Sequence, residues 1–256
     1  MLFGRNGPIS PSDCLPPRLD CQVQFHYGAS MGRRKINAPP TARGVATRAR
    51  IVEAASTLVA EHGVAGTRIE DVMEASGTSK SQVYHYFADR EALMSAVVQA
   101  RSQGVLEFQS SSLDKVRTLE DLRAWRDKVV AINRRKGSVG GCPMGSLASE
   151  LADRSESARE ILLAGFDRWK SCLRKAFEVM QRDGQLTKSA DPDALAVRFL
   201  IALQGGLLLS QTMRSSVPLE AALDMALEHV GPVSRDNGLR NSRLKVRTRT
   251  GRNPGH

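Results

Sequence analysis

The sequence predicts an all-α protein, with a small three-helix unit near the N-terminus followed by a larger helical domain. Three observations carry that expectation. From Ala46 onward apolar residues recur at helical spacing, with no convincing strand alternation and no internal repeat. Capping residues and glycines interrupt the pattern at intervals that suit helices of ordinary length. At 256 residues, 41% hydrophobic and 25% charged, the chain is long enough to bury a core without disulfide or metal staples.

The elements follow in order. Ile51, Val52, Ala55, Leu58 and Val59 fall on one helical face, and Gly63 stops the pattern as a left-handed cap would. Thr67 and Glu70 form a T-x-x-E box ahead of Ile69, Val72 and Met73, predicting a short second helix that ends at Gly77. Ser79 and Gln82 repeat the box as S-x-x-Q and open a third helix with Val83, Tyr84 and Phe87. Asp89 caps a longer helix carrying Leu93, Met94, Val97 and Val98. Thr118 caps a helix with Leu119, Leu122, Trp125, Val129 and Ile132, terminated by Gly137. A tight loop over 138–145 leads into a helix around Leu147 to Ala152. Ser155 opens a long helix through Ile161, Leu162, Phe166, Trp169, Leu173, Phe177 and Met180 that stops at Gly184. Asp191 and Pro192 are an N-cap and N1 pair for a helix through Met213, and the last helix runs from about Pro218 to Val230.

Charge is distributed unevenly. Residues 1–45 hold six Lys/Arg against two Asp, residues 233–256 hold seven against one, and the stretch between is balanced, so the whole net charge of +10 sits in the flanks. The first flank is rich in Pro, Gly and Ser and the second has few large apolar residues, so ordering entropy goes unopposed, and the reading is disorder for 1–45 and 233–256. Met31 offers a second start, so residues 1–30 need not belong to the natural protein. Basic flanks attract nucleic acid or anionic surfaces, although a solvated tail without a partner explains them as well.

Exclusions narrow the function. Cys14, Cys21, Cys142 and Cys172 show no C-x-x-C spacing and no flanking histidine pairs, so no metal site, no cofactor and no disulfide framework is expected. The N-terminus has no apolar signal core, and the most apolar window, Phe199 to Leu209, is too short to span a bilayer; the expectation is a cytoplasmic protein with no membrane partner. No G-x-S-x-G, H-E-x-x-H or G-x-G-x-x-G occurs, and Gly140 to Ser146 lacks the Lys of a phosphate-binding loop, so no catalytic residue is assigned and no enzyme is expected.

Two short helices joined by a glycine turn make a helix-turn-helix. In the second of them Val83 and Phe87 face inward, while Lys80, Ser81, Gln82 and His85 project outward with groups that suit base edges and phosphates. Tyr84 and Tyr86 offer hydroxyls to phosphates, and the helix N-terminus at Ser79 offers amides. An ordinary small bundle with a wet polar face fits the same spacing. Residues 46–92 carry five basic and seven acidic residues, so DNA affinity would need the Arg33-Arg34-Lys35 arm just upstream.

The run TRARIVEAASTLVAEHGVAGTRIEDVMEASGTSKSQVYHYFADREAL, Thr47 to Leu93, closely resembles the DNA-binding region of TetR-family transcriptional regulators. Ile51, Ala54, Ala55, Gly63, Thr67, Ile69, Val72, Ala75, Gly77, Ser79-Lys80, Tyr84, Tyr86-Phe87 and Leu93 match the family pattern together. The resemblance implies a helix-turn-helix domain over 46–108, a helical ligand-binding and dimerisation domain over 109–232, a homodimer on a palindromic double-stranded DNA operator, and repression relieved by a small effector. It places Lys80, Ser81, Gln82 and His85 toward bases, and Thr67, Ser79, Tyr84, Tyr86 and Arg90 toward phosphates. Asp89 departs from the pattern, since basic or amide residues are frequent there.

In the second domain, Gly141-Cys142-Pro143-Met144-Gly145 looks like a motif from one branch of the family. Cys142 beside a helix N-terminus reads either as an electrophile- or oxidant-sensing thiol or as a small residue in a cramped corner. Phe108, Trp125, Cys142, Met144, Phe166 and Trp169 are the candidates to line an effector pocket, and an apolar or aromatic effector suits them better than a sugar phosphate. Gly205 and Gly206, in the apolar window from Ala202 to Leu209, are expected to let a partner helix approach. The competing reading from another class is a helical small-molecule-binding module without DNA binding, and four outward polar residues on the third helix weigh against it.

Overall fold

The computed structural model describes residues 41–230, and every regular element among them is helical. The order is α1 (Ala42–Gly66), α2 (Ile69–Ser76), α3 (Lys80–Tyr86), α4 (Arg90–Leu113), α5 (Leu119–Arg135), α6 (Pro143–Leu151), α7 (Glu156–Arg182), α8 (Pro192–Met213) and α9 (Val217–Glu228). The Arg33-Arg34-Lys35 arm, the Met31 start and the basic tail lie outside the described residues.

Two expectations at the N-terminus need correction. The first helix begins at Ala42, not Ala46, because the Thr41 hydroxyl accepts from the Gly44 N–H at 3.1 Å; residues 42–45, assigned above to a disordered segment, form its first turn. At the far end Gly63 has φ 72° and ψ 173°, a left-handed φ with extended ψ, so it kinks the chain and Val64 to Gly66 continue for another turn. The Thr67–Glu70 box does not form. Thr67 is buried and its hydroxyl donates to the Gly63 carbonyl at 2.8 Å, while α2 is capped one residue later, where the Arg68 N–H donates to Asp71 Oδ2 at 3.3 Å.

The turn after α2 is as expected. Gly77 sits at φ 61°, ψ 38°, with its N–H donating to Glu74 O and the Thr78 N–H to Met73 O. The next box forms on both sides, with Gln82 N–H donating to Ser79 Oγ at 3.3 Å and Ser79 N–H to Gln82 Oε1 at 2.9 Å. Asp89, Thr118, Ser155 and Asp191 cap α4, α5, α7 and α8 through their side-chain oxygens.

α4 runs unbroken through residue 108, so the boundary drawn there falls inside a helix. Its N-terminal half packs on α1 and its length packs on α7, with Leu93, Val97, Val98 and Leu106 buried. α6 starts at Pro143 with Cys142 as its N-cap residue, four residues before the predicted Leu147. The loop ahead of it takes positive φ at Gly137, Ser138, Gly140 and Gly141, and Ser138 is held by its hydroxyl donating to Asn133 Oδ1 at 2.8 Å. α8 and α9 form a hairpin. α8 as a whole is long and apolar enough to cross a bilayer, longer than the window singled out above. In the fold Phe199, Ala202, Leu203 and Gly206 are buried in the core shared with α7 and α9.

Candidate functional site

Helix α3 separates its faces cleanly. Val83 and Phe87 are buried, with the Arg48 guanidinium 5.0 Å from the centre of the Phe87 ring. Ser79, Lys80, Ser81, Gln82, Tyr84 and His85 are all exposed. Tyr86 is half-buried, its ring edge-on to His85 at 4.9 Å and its hydroxyl close over Gly44 at the start of α1. Lys80 leaves its ammonium toward solvent, the Ser81 hydroxyl pairs with Ser79 Oγ at 3.1 Å, and the Gln82 amide oxygen accepts from the Ser79 N–H. The Gln82 NH2 donors and the second lone pair of its oxygen remain for a base edge, with the side-chain direction fixed by the cap.

Two residues expected at phosphates make contacts within the protein. Thr67 is 2% exposed. Arg90 is exposed, with its Nη2 donating to Val64 O at 2.5 Å and Thr67 O at 3.2 Å. On the same corner Glu150 of α6 accepts from the Val64 N–H at 2.7 Å. The kink at Gly63 leaves these backbone groups without helical partners, and side chains from α4 and α6 supply them. Sequence reading missed Glu150, because no local pattern links it to a residue 86 positions earlier.

A cavity of about 460 Å³ lies among α4, α5, the α5–α6 loop, α7 and α8. Of the six predicted lining residues, Phe108, Cys142 and Trp169 line it. The other three are corrections. Trp125 is core, its indole N–H donating to Gln109 Oε1 at 3.1 Å and its ring 6.3 Å from Phe199. Met144 is fully buried against Gly165, and Phe166 packs on the core's edge. Sequence reading missed Arg101, Asn133 and Lys136, all of which line the cavity.

Arg101 gives the cavity its charge. Its Nη1 donates to the Ser56 carbonyl of α1 at 2.8 Å, while its buried Nε has no acceptor. Burial lowers the guanidinium pKa from its ordinary value, opposed by attraction to the nearby Cys142 sulfur. Trp169, 1% exposed, likewise has an indole N–H without an acceptor. A shielded donor left in this state costs about 1–3 kcal/mol. Cys142 is buried, and the Gln204 amide donates to its Sγ at 3.4 Å. A second, larger cleft of about 790 Å³ lies between the three-helix unit and α6–α7, but Arg90 and Glu150 in its wall are committed to the α1–α2 corner.

The outer face of α8 and α9 is apolar and exposed: Ile201, Leu208 and Met213 are each more than 60% exposed, as is Val217. Gly205 looks outward with open space above it. Gly206 does not, since a Cβ there would come within 2.9 Å of the Leu219 Cα. Its small size serves α9 of the same chain, which corrects the expectation that both glycines face a partner.

The family model described as bacterial regulatory proteins, tetR family, matches residues 51–97, and the one described as tetracyclin repressor-like, C-terminal domain, matches 118–226. The transcriptional repressor DhaR of Mycobacterium sp. (strain GP1) is 26% identical over 185 residues, covering 72% of this chain and 92% of that protein. A crystal structure of a TetR regulator from Chloroflexus aurantiacus superimposes with TM-score 0.66 at 27% identity, over 74% of this chain and 96% of that one. The reduced form of Escherichia coli NemR does so with TM-score 0.61 at 23% identity, over 71% and 95%. With both of its halves matched, the chain belongs to the TetR family: it is a helix-turn-helix transcriptional regulator, not an enzyme.

Proposed function

We propose that two copies of this chain bind a palindromic operator as a cytoplasmic repressor, with α3 of each in successive major grooves about 34 Å apart. The observation that carries this reading is the exposed set Lys80, Ser81, Tyr84 and His85 on a helix whose other face is fully packed. The exposed α8–α9 face supplies the dimer contact, and the Arg33-Arg34-Lys35 arm supplies phosphate affinity that the acidic three-helix unit lacks. An effector in the Arg101–Trp169 cavity releases the operator. Two bonds favour that coupling: Arg101 reaches Ser56 of α1 from the cavity wall, and α6 begins at the cavity with Cys142 and ends near Glu150 on Val64.

Genomic footprinting followed by titration of the recovered operator tests the reading. Lys80→Ala should weaken binding by about 1–3 kcal/mol and relax preference at one base position per half-site. Removing residues 1–36 should instead flatten the salt dependence, each lost phosphate contact taking about 0.9 from the slope of log K against log salt. Unchanged binding and selectivity in Lys80→Ala would sink the assignment of α3.

A second reading has support in the placement of Cys142. The sequence shows only Lys136 and Glu150 as charged neighbours, but the fold brings the Arg101 guanidinium into the same cavity wall and the Gln204 amide within 3.4 Å of Sγ. On this reading covalent modification of Cys142 releases the operator. N-ethylmaleimide should then abolish operator binding by the native protein and spare Cys142→Ser; equal responses would reject it.

A further inference from the structure

The cavity's chemistry narrows what can occupy it. Arg101 and Lys136 line it, and no Asp or Glu does. Neither cation forms an ion pair among the described residues, although acidic residues neutralise cations elsewhere on these helices, as Asp224 does for Arg126 and Glu220 for Arg134. The remaining walls are mostly apolar, with Val105, Phe108, Val129, Ile132 and Leu207. A cation facing an apolar chamber without a protein counter-charge has a place for an anion.

The shape of the guanidinium says which anion. Its Nη1 is engaged by Ser56 O, and its Nε is shielded without an acceptor, so a ligand in the chamber takes up the Nε–Nη2 edge only as the side chain shifts toward it. Two parallel N–H donors along that edge match the two oxygens of a carboxylate. Trp169 contributes to the same wall, with its unpartnered indole N–H shielded behind the chamber's surface. A phosphate ester, with its higher charge and larger hydration cost, suits one half-buried guanidinium and an apolar chamber less well.

We infer that the cavity takes a carboxylate borne on an apolar or aromatic body, the carboxylate docking on the Nε–Nη2 edge of Arg101 and the body lying among Phe108, Val129 and Leu207. The inference rests on reading this cavity as the effector site. It also supplies the release step, because a carboxylate that draws the guanidinium toward itself competes with the Ser56 carbonyl, and the bond between α4 and α1 gives way.

Matched carboxylates and carboxamides test it on the full-length protein: benzoate with benzamide, cinnamate with cinnamamide, 2-naphthoate with 2-naphthamide. Binding is followed by calorimetry and by the fluorescence of Trp125 and Trp169. At least one carboxylate should bind about 10- to 100-fold more tightly than its amide. Arg101→Gln should erase that preference while leaving amide affinity as it was, and Arg101→Lys, which keeps the charge but loses the fork, should restore it in part. Val129→Trp, which fills the chamber, should abolish binding of both members. Amides binding as tightly as their acids, with Val129→Trp still blocking both, would overturn the carboxylate inference and leave the cavity reading intact. Binding by no member of any pair, or binding indifferent to Val129→Trp, would overturn both.

Discussion

Helix α3 and the Arg101 cavity are built by opposite means. All the bonds that fix the ends of α3 run between residues within four positions of one another: Ser79 with Gln82, Phe87 with Val83. The cavity draws its walls from four helices and a loop, and its polar groups meet partners far away in the chain, Arg101 at Ser56 and Cys142 at Gln204. A polar helix face of this kind is therefore a local object that a seven-residue segment can carry, while a chamber walled by several helices exists only once the bundle has closed.

The largest effect that bears on this contrast is expected at two nearby positions of α8, Gly206 and Leu208. Gly206→Leu would drive a side chain into the Leu219 backbone, which cannot yield, and should cost about 3 kcal/mol, or roughly 6–12 °C in Tm. Leu208→Glu, at a site 62% exposed, should leave the helical circular dichroism intact and yield a monomer by light scattering. A Gly206→Leu protein that melts like the wild type and runs as a folded monomer would show the opposite arrangement, with that glycine serving a partner helix. Composition alone could not separate the two, since both lie in one apolar run.

A smaller effect separates the two roles of Gln82. Gln82→Ala loses the cap and the base-facing donors together, and should lose about 1 kcal/mol of stability along with operator affinity. Gln82→Glu keeps an oxygen for the Ser79 N–H and adds a favourable charge at the helix N-terminus, so its stability should hold while its operator binding falls. Wild-type affinity in Gln82→Glu would reduce the residue to a cap. The same logic explains how far the sequence was legible. Thr118, Ser155 and Asp191 were readable as caps because each satisfies backbone donors within three residues. Thr67 was misread by one position because Arg90 and Glu150, distant in sequence, settle the α1–α2 corner. Trp125 and Trp169 have the same residue type and the same helical spacing, yet Gln109 satisfies one indole and nothing satisfies the other. Arg101 reads in sequence as one more solvated charge on a helix; only the assembled bundle shows it in a cavity wall.

The smallest effects concern two partly exposed carboxylates that differ in the same way as the two regions. Asp121 is held below the usual carboxylate range first by the backbone N–H of Arg117 and then by the Thr118 hydroxyl, donors within four residues of it. Glu220 is held low first by the Ser216 hydroxyl, four residues before it, and then by Arg134 of α5, 86 residues before it. A carboxylate whose folded pKa is depressed contributes stability above its unfolded pKa, near 4, and loses that contribution as the pH falls through the lower folded value. Both should therefore add slope to the acid limb of a stability-against-pH curve, each by less than about 1 kcal/mol because both are open to solvent. Salt distinguishes them. The Asp121 contribution comes mainly from hydrogen bonds to neutral groups, with the Arg117 charge the smallest cause, and should largely survive 0.5 M NaCl, so Asp121→Asn should flatten the acid limb nearly equally at low and high salt. Part of the Glu220 contribution is an ion pair reaching across the fold and should be screened, so the difference between Glu220→Gln and wild type should shrink as salt is added. Thermal melts between pH 3 and pH 7 at two ionic strengths would read this out, and an equal salt response at the two sites would mean that Arg134 contributes nothing beyond what the local serine already supplies.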